Sequence, residues 1–269
     1  EPKLYIHSAT DHLDSEPASV RLTRAFERIQ WPWVMLAKRN DRVNAKSATM
    51  ILANSYYSRE YIHKTYGRYA EVDYLGVDLH LFRNLGIEPQ SFILAVGALA
   101  AEKGYDFIIR SLARIPDAIR PALTIVVDRT SGSSLETYLR SLANRLRVVI
   151  QFRTNVIDDE LVHLYNQAKV FVYAPIMEPF GLAAIEAMAC GTPVVGIREG
   201  GLRETINDGV NGLLTDRNEE AFALSIKKVI TDAPLRDSLS KQCRKSVERF
   251  SWERSIDRLL ELNNRRSKQ

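Results

Sequence analysis

Two glutamates, Glu178 and Glu186, stand eight positions apart in the stretch EPFGLAAIEAMACGTPVV. Pro179 and Gly181 predict a tight loop between them, because proline fixes its own φ and glycine lets the backbone approach another group closely. The small apolar residues that follow predict a helix that begins near Phe180 or Gly181. Its first N–H groups have no partner within the helix and carry a partial positive charge, which suits phosphate or sugar hydroxyls.

The two carboxylates can do different chemistry. Glu186 is expected about one and a half turns into the helix, where a buried carboxylate needs hydrogen-bond donors. The vicinal hydroxyls of a ribose supply two such donors. With Glu178 on the loop, the pair could hold a nucleotide sugar at both ends. In the alternative interpretation Glu178 is solvated and Glu186 pairs with a nearby arginine; the spacing alone favours that alternative, and the ordered motifs around it favour the nucleotide sugar.

The elements that would position these residues form a strand–helix series from Ser91 onward. Short apolar runs separated by helices favour a parallel sheet covered on both faces. Right-handed crossovers would make it a doubly wound, Rossmann-like domain that binds ligands at the carboxyl ends of its strands. The predicted strands are 92–97, 122–127, 147–152, 170–174, 193–197 and 211–216, and the predicted helices between and after them are 105–115, 134–146, 158–168, 181–190, 201–208 and 216–230, the last with a capping box at Asp216 and Glu219.

The amino-terminal part has a different pattern and predicts a partial second α/β domain over residues 1–85. The complete domain is expected over 86–250, followed by a helix and basic tail over 251–269. Within the first part, strands are predicted at 3–7, 50–54 and 71–76 and helices at 19–47 and 56–66, with a linker at 78–91 and a final helix at 252–264.

The composition of the 269 residues, 45% of them hydrophobic, is that of a globular protein with one large or two ordinary domains. No apolar run reaches the roughly 18 residues of a membrane span, and no signal-peptide pattern is visible. Cys190 and Cys243 have no disulfide or metal spacing, which favours two buried thiols in a reducing compartment. Residues 241–269 hold nine Lys or Arg against four Asp or Glu. Such a tail contacts an anionic membrane surface or nucleic acid, or is a solvated helix face, and the pattern favours the solvated face. The sequence contains no basic patch with aromatic residues between the charges, which is the pattern that would indicate nucleic-acid binding.

A close resemblance to the retaining glycosyltransferases of family 4, which have the GT-B fold, is carried by residues 170–214, VFVYAPIMEPFGLAAIEAMACGTPVVGIREGGLRETINDGVNGLL. It continues through 92–115 and 148–168 and extends weakly over 53–82. The resemblance implies two facing Rossmann-like domains, of which the carboxy-terminal one binds the donor and the amino-terminal one holds most of the acceptor site.

The resemblance also implies roles for the residues of the central motif. Glu186 would hold the ribose hydroxyls. Glu178 would hold hydroxyls of the transferred sugar and stabilise positive charge at its anomeric carbon. The backbone N–H groups of Phe180, Gly181 and Leu182 would bind the sugar and the distal phosphate.

Further implied positions lie on neighbouring loops. Lys103, after the first strand of the domain, would neutralise the diphosphate, and Gly97 would let the diphosphate approach. Val156 would meet the base through its backbone. Gly200 and Gly201 would open the far wall of the cleft.

Two departures from the family pattern stand out. Ala98 occupies the place where the family usually has an arginine next to the glycine. Arg129, directly after a predicted strand, is the candidate substitute, with a surface ion pair to Asp128 as the alternative. The first domain is also short and lacks a glycine-rich loop, which implies about 100 further residues before residue 1. His7, at the end of the first predicted strand, is a weaker cleft candidate.

The expected function is therefore retaining transfer of a hexose from a nucleotide sugar, UDP-glucose or a close relative, to a saccharide or lipid-linked saccharide. No cofactor or metal is expected, because cations and amides would stabilise the leaving diphosphate and no Asp-x-Asp triplet is present. The expected location is the cytoplasm, at the inner face of the membrane. Two alternatives stay open: a nucleotide-sugar epimerase or hydrolase on the same fold, and a nucleotide-sugar-binding module without turnover.

Overall fold

The computed structural model describes residue 33, residues 35–128 and residues 134–266. The strands are β1 (Leu52–Ala53), β2 (Glu71–Val72), β3 (Phe92–Val96), β4 (Ala122–Val126), β5 (Ile150–Arg153), β6 (Phe171–Tyr173), β7 (Val194–Ile197) and β8 (Gly212–Thr215). The helices are α1 (35–47), α2 (Tyr56–Tyr66), α3 (Tyr105–Leu112), α4 (Ser134–Arg145), α5 (Asp158–Gln167), α6 (Leu182–Ala189), α7 (Leu202–Thr205), α8 (Glu219–Thr231), α9 (Ala233–Val247) and α10 (Trp252–Arg266).

The predicted doubly wound sheet is confirmed. Six parallel strands lie in the order β5-β4-β3-β6-β7-β8. Side chains alternate between its faces, so Phe171 and Tyr173 belong to one buried apolar cluster and Val172 to the other. Helices cover both clusters, which explains why the strands read as nearly continuous apolar runs.

Two local predictions in this domain are wrong. The strand expected at 147–152 begins only at Ile150, because Arg147 takes a left-handed φ of 55° and the N–H of Val148 bonds to the carbonyl of Ala143, which extends the end of α4. Helix α8 is capped by Asn218 rather than Asp216, since the Asn218 side chain accepts the N–H groups that follow it. Helix α9 was not predicted; Asp232 caps it, and a proline follows in its first turn.

The amino-terminal segment, residues 35–77, is much less regular. Strands β1 and β2 are two residues long each, shorter than predicted, and pair in parallel. Helix α10 lies outside the six-stranded sheet, as expected, and returns to this segment: the Oγ of Ser255 donates to Asp73 at 2.8 Å. Within the described residues, no helix is long and apolar enough to cross a bilayer.

Some predictions lie outside the described residues. They concern Arg129, His7, the strand at 3–7 and the first half of the helix at 19–47.

Candidate functional site

The site lies where the strand order changes direction. The chain moves from β3 to β4 and β5 on one side, and β6 to β8 lie on the other. Crossovers that leave in opposite directions open a crevice at the carboxyl ends of the two central strands, β3 and β6. The loops after these two strands therefore form the candidate site.

The two loops are packed directly against each other. The N–H of Ile176 donates to the carbonyl of Glu102 at 2.7 Å. Gly104 has a φ of 68°, and a Cβ there would lie 2.2 Å from the carbonyl oxygen of Ala174. Only glycine permits this approach, which brings Lys103 opposite the loop that follows β6.

Lys103 and Glu178 meet in this crevice. The Lys103 Nζ lies 3.0 Å from the Glu178 Oε2, and the two side chains are only 24% and 14% exposed. The hydroxyl of Tyr173 donates to the same oxygen at 3.1 Å. Burial raises the pKa of Tyr173, so this hydroxyl keeps its proton and acts as a donor. The structure thus brings together two residues that are 75 positions apart in the sequence.

Gly97 lies beside this pair at the end of β3. The hydroxyl of Tyr105 donates to its carbonyl at 2.8 Å and fixes the start of the loop. A Cβ on Gly97 would lie 3.3 Å from that hydroxyl and 3.6 Å from the Lys103 side chain. The following residue, Ala98, is exposed and provides no cation.

Helix α6 begins at the rim of the crevice. Gly181 precedes it with a φ of 91°, and no side chain caps the helix. The N–H groups of Phe180, Gly181 and Leu182 donate to no acceptor in the described part of the protein. Their binding of a sugar or phosphate stays a prediction. The Phe180 ring is buried and stacks against Tyr74, with the ring centroids 5.8 Å apart.

Glu186 is half-buried on the inner side of α6. The hydroxyl of Tyr165 donates to its Oε2 at 2.8 Å, and Thr192 holds Tyr165 through a bond to its carbonyl at 2.6 Å. Burial raises the pKa of Glu186, and the Tyr165 hydroxyl opposes that shift. Its Oε1 receives no hydrogen bond from the described residues, so the protein fixes only one of the two carboxylate oxygens.

Gly200 and Gly201 lie against the loop of Glu178. Their implied place in the far wall of the cleft stays a prediction. A Cβ on Gly200 would be 2.2 Å from the Glu178 carbonyl oxygen, and one on Gly201 would be 2.1 Å from that of Pro179. The N–H of Gly201 donates to the Glu178 carbonyl at 2.8 Å. The glycine pair thus packs against the backbone of Glu178 and Pro179 and holds this loop in position.

Val156 lies in the loop between β5 and α5. It is partly buried and packs against the apolar cluster that includes Tyr173 and Phe180. Helix α5 packs on α6, so this loop is on the Glu186 side of the site. The contact with a base stays a prediction.

Three supporting residues were not found from the sequence. Arg217 donates to the carbonyls of Ala174 and Pro175 at 3.0 and 2.7 Å and pairs with Glu199 at 2.7 Å, which fixes the exit of β6. The other two are Tyr165 and Tyr173, already described. No short motif marks Arg217, but the tyrosines could have been suspected as hydroxyls at buried positions. Among the described residues, no three His, Cys, Asp or Glu side chains cluster as metal ligands.

Comparison with known proteins identifies the family. The model of the family described as Glycosyl transferases group 1 matches residues 79–246. The D-inositol 3-phosphate glycosyltransferase of Salinispora arenicola is 36% identical over 190 residues, which cover 67% of this chain and 42% of that protein. The chain spans about half the length of the curated relatives it matches.

Solved structures share the fold and confirm the predicted GT-B type. Sucrose-phosphate synthase from Thermosynechococcus elongatus aligns with a TM-score of 0.75 and 25% identity over 85% of this chain and 61% of that chain. Anabaena HepE, in complex with UDP and glucose, aligns with a TM-score of 0.73 and 25% identity over 84% of this chain and 67% of that chain.

Proposed function

The chain belongs to the group 1 glycosyl transferases, and on that premise we propose that it transfers a hexose from a nucleotide sugar to an acceptor hydroxyl with retention of configuration, as family 4 enzymes do. The observation that carries the proposal is the Lys103–Glu178 pair, 3.0 Å apart at the switch point of the sheet. Beside it lie the unpartnered N–H groups at the start of α6. A cation, an anion and a set of amides at one crevice match the charges of an activated sugar.

The donor is UDP-glucose or a close relative. Its ribose binds Glu186, whose Oε2 is already held by Tyr165 and whose other oxygen accepts a ribose hydroxyl. Its diphosphate lies between Gly97, Lys103 and the start of α6, where the helix dipole and the ammonium both attract it. The base reaches the loop of Val156. Arg129 adds a second cation in place of the one that Ala98 lacks.

The reaction breaks the bond between the anomeric carbon and the β-phosphate oxygen. The electron pair goes to the phosphate, where Lys103 and the N–H groups of residues 180–182 stabilise it electrostatically. The acceptor oxygen attacks from the face that the leaving group vacates and passes its proton to the phosphate. Glu178 stabilises positive charge at the anomeric carbon and is not the nucleophile. The ammonium and the amides supply the positive charge, so the reaction needs no metal or cofactor.

The acceptor is a saccharide or a lipid-linked saccharide. D-Inositol 3-phosphate is a first compound to test, because several curated relatives carry it in their names. The protein acts in the cytoplasm, at the inner face of the membrane, where the basic tail meets anionic lipid.

Calorimetry with UDP and uridine tests the donor site. Lys103→Ala should weaken UDP binding about ten- to a hundredfold and leave uridine nearly unchanged, because only UDP carries the diphosphate. Glu186→Ala should weaken both. The exposed Lys227→Ala on α8 is the control and should change neither. Equal losses for UDP and uridine in Lys103→Ala would remove Lys103 from the phosphate site.

A second measurement separates transfer from its alternatives. Glu178→Ala should spare UDP binding but remove most of the transfer rate from UDP-glucose to the acceptor. Products from donor alone distinguish the cases: free glucose would indicate a hydrolase, and a changed sugar epimer would indicate an epimerase. Donor binding without any product, with every acceptor tried, would favour the binding module.

A further inference from the structure

Helix α2 has an unusual amino end. Its first turn contains no acidic residue, and Ser55 caps only the N–H of Ser58. The N–H groups of Tyr56 and Tyr57 donate instead to the two carboxylate oxygens of Glu204, each at 2.9 Å. Glu204 lies on α7, 148 positions further along the chain. A carboxylate at the positive end of a helix is stabilising, but here it comes from the other part of the molecule.

The same carboxylate holds Tyr74. The Tyr74 hydroxyl donates to the Glu204 Oε2 at 3.0 Å. Burial and this bond raise the pKa of Tyr74 to about 12, so it remains a donor. The Tyr74 ring stacks on Phe180 with centroids 5.8 Å apart. Glu204 is therefore one side chain away from the loop that carries Glu178.

Two more contacts connect these elements to that loop. Tyr61, one turn further along α2, donates its hydroxyl to the Met177 sulfur at 3.8 Å, and its ring packs on Tyr57 at 5.0 Å. On the other side, Gly201 in front of α7 bonds to the Glu178 carbonyl. The loop of Glu178 thus contacts α2, Tyr74 and the residue before α7.

We propose that Glu204 is a positioning residue for sugar transfer: by binding the amino end of α2 and Tyr74, it holds the amino-terminal segment against the donor loop. This inference rests on the proposed function, because the residue it positions through these contacts is Glu178. Glu204 touches neither Lys103 nor Glu178, so it acts only through the elements around them.

The alternative is a contact that contributes only to stability. The two roles differ in what they change. A purely structural contact would lower the unfolding temperature and leave the transfer rate of the folded fraction intact. A positioning contact would lower that rate much more than it weakens UDP binding, since Glu186 and Lys103 would still hold the nucleotide.

The test combines amide exchange with kinetics on Glu204→Ala and Glu204→Gln. The N–H groups of Tyr56 and Tyr57 have no partner within the helix, so Glu204→Ala should raise their exchange roughly tenfold or more, with the six-stranded sheet unchanged. UDP release from UDP-glucose, with D-inositol 3-phosphate as acceptor probe, should fall about tenfold while the UDP dissociation constant stays within about twofold. Glu204→Gln keeps one acceptor oxygen and should recover part of the rate.

The control is Glu220→Ala, an exposed glutamate on α8 that pairs with Arg114. It should leave exchange and rate unchanged. Unchanged exchange at Tyr56 and Tyr57 in Glu204→Ala, or raised exchange with an unchanged rate, would overturn the inference. If Glu204→Ala does not fold, Glu204→Gln decides by the same two readouts. Absence of UDP binding by the unsubstituted protein would instead contradict the proposed function, and the exchange data would still show whether Glu204 holds α2.

Discussion

The six-stranded sheet and the amino-terminal segment are each stabilised by a different set of contacts. The sheet carries a buried apolar cluster on each face, and residues such as Ile93 and Phe171 are fully buried. In residues 35–77, both strands are two residues long and α2 has no buried residue. Part of its attachment is polar, from Asp73 to Ser255, Glu71 to Arg258 and the start of α2 to Glu204. Another part is apolar, because Tyr74 and Val77 pack into the cluster that contains Phe180.

This difference predicts that the two regions differ in rigidity. Apolar burial holds the strands of the sheet in place, and with them the starts of the loops after β3 and β6, because close-packed interiors resist displacement. A single hydrogen bond contributes less to the free energy of unfolding than a buried apolar side chain does. A segment attached by hydrogen bonds therefore opens locally at a lower free energy than the core. The molecule therefore combines a deeply buried sheet with a segment whose attachment depends in part on a few hydrogen bonds.

The largest expected effect is loss of apolar packing in the sheet region. Phe222 on α8 is fully buried, and Phe222→Ala should lower the free energy of unfolding by about 3–5 kcal/mol. Leu224 on the same helix is 66% exposed, so Leu224→Ala should cost less than about 0.5 kcal/mol. Urea denaturation measures both. Similar losses for the two variants would contradict the contrast between burial and exposure.

A smaller loss is expected where the sheet region supports the donor loop. Gly201→Ala places a methyl group 2.1 Å from the Pro179 carbonyl oxygen, so the loop must move. We expect about 2–3 kcal/mol of lost stability and weaker donor binding. Gly209→Ala is the control, because its φ is 76° but nothing lies within 4 Å; it should cost about 1 kcal/mol through backbone strain alone and leave binding intact. Unchanged donor binding in Gly201→Ala would mean that the loop of Glu178 does not take part in the site.

A polar attachment of the amino-terminal segment should be weaker still. Ser255→Ala removes the donor to Asp73 and should cost about 1 kcal/mol. The loss should be local: amide exchange should become faster in β2 and α10 and stay unchanged in the six-stranded sheet. Ser246→Ala, which removes a hydroxyl bonded within its own helix, is the matched control. Uniformly faster exchange throughout the protein would mean that the two regions unfold as one.

The smallest effect on stability concerns Glu186. Because burial raises its pKa, the folded state holds the proton more tightly than the unfolded state does. Its contribution is therefore favourable at low pH and is lost as the pH rises through the folded pKa. Glu186→Gln should keep the Tyr165 contact and be as stable or slightly more stable at neutral pH, by less than about 1 kcal/mol, while UDP binds about tenfold more weakly. The stability of Glu186→Gln relative to the unsubstituted protein should therefore be higher at pH 7 than at pH 5. A relative stability that is lower at pH 7 would contradict the expected sign.

The sheet region could be predicted because its signals are local. Apolar runs with turn residues between them fixed the strands, and glycine and proline marked the ends of α6. The ordered motifs around Glu178 and Glu186 singled out these two residues, and the family resemblance implied Lys103, which the structure places beside Glu178. The prediction failed at element ends, where local capping contacts decide the boundary, as with the extension of α4 at Arg147 or the cap of α8 by Asn218.

The contacts between residues far apart in the sequence could not be predicted. Glu204 looks like an ordinary residue of a short helix, and its partners are about 130–148 positions away. Arg217 binds carbonyl groups, which carry no sequence signature. Gly200 and Gly201 were recognised as special, but the reason is a close approach to Glu178 and Pro179 that only coordinates reveal.

The central claim is that an activated sugar binds between Lys103, the start of α6 and the two glutamates. A crystal soaked with UDP-glucose tests it most directly. We predict ribose hydroxyls on Glu186, the diphosphate on Lys103 and the N–H groups of residues 180–182, and the glucose on Glu178. A nucleotide bound elsewhere, with Glu178 and Glu186 both facing solvent, would contradict the account.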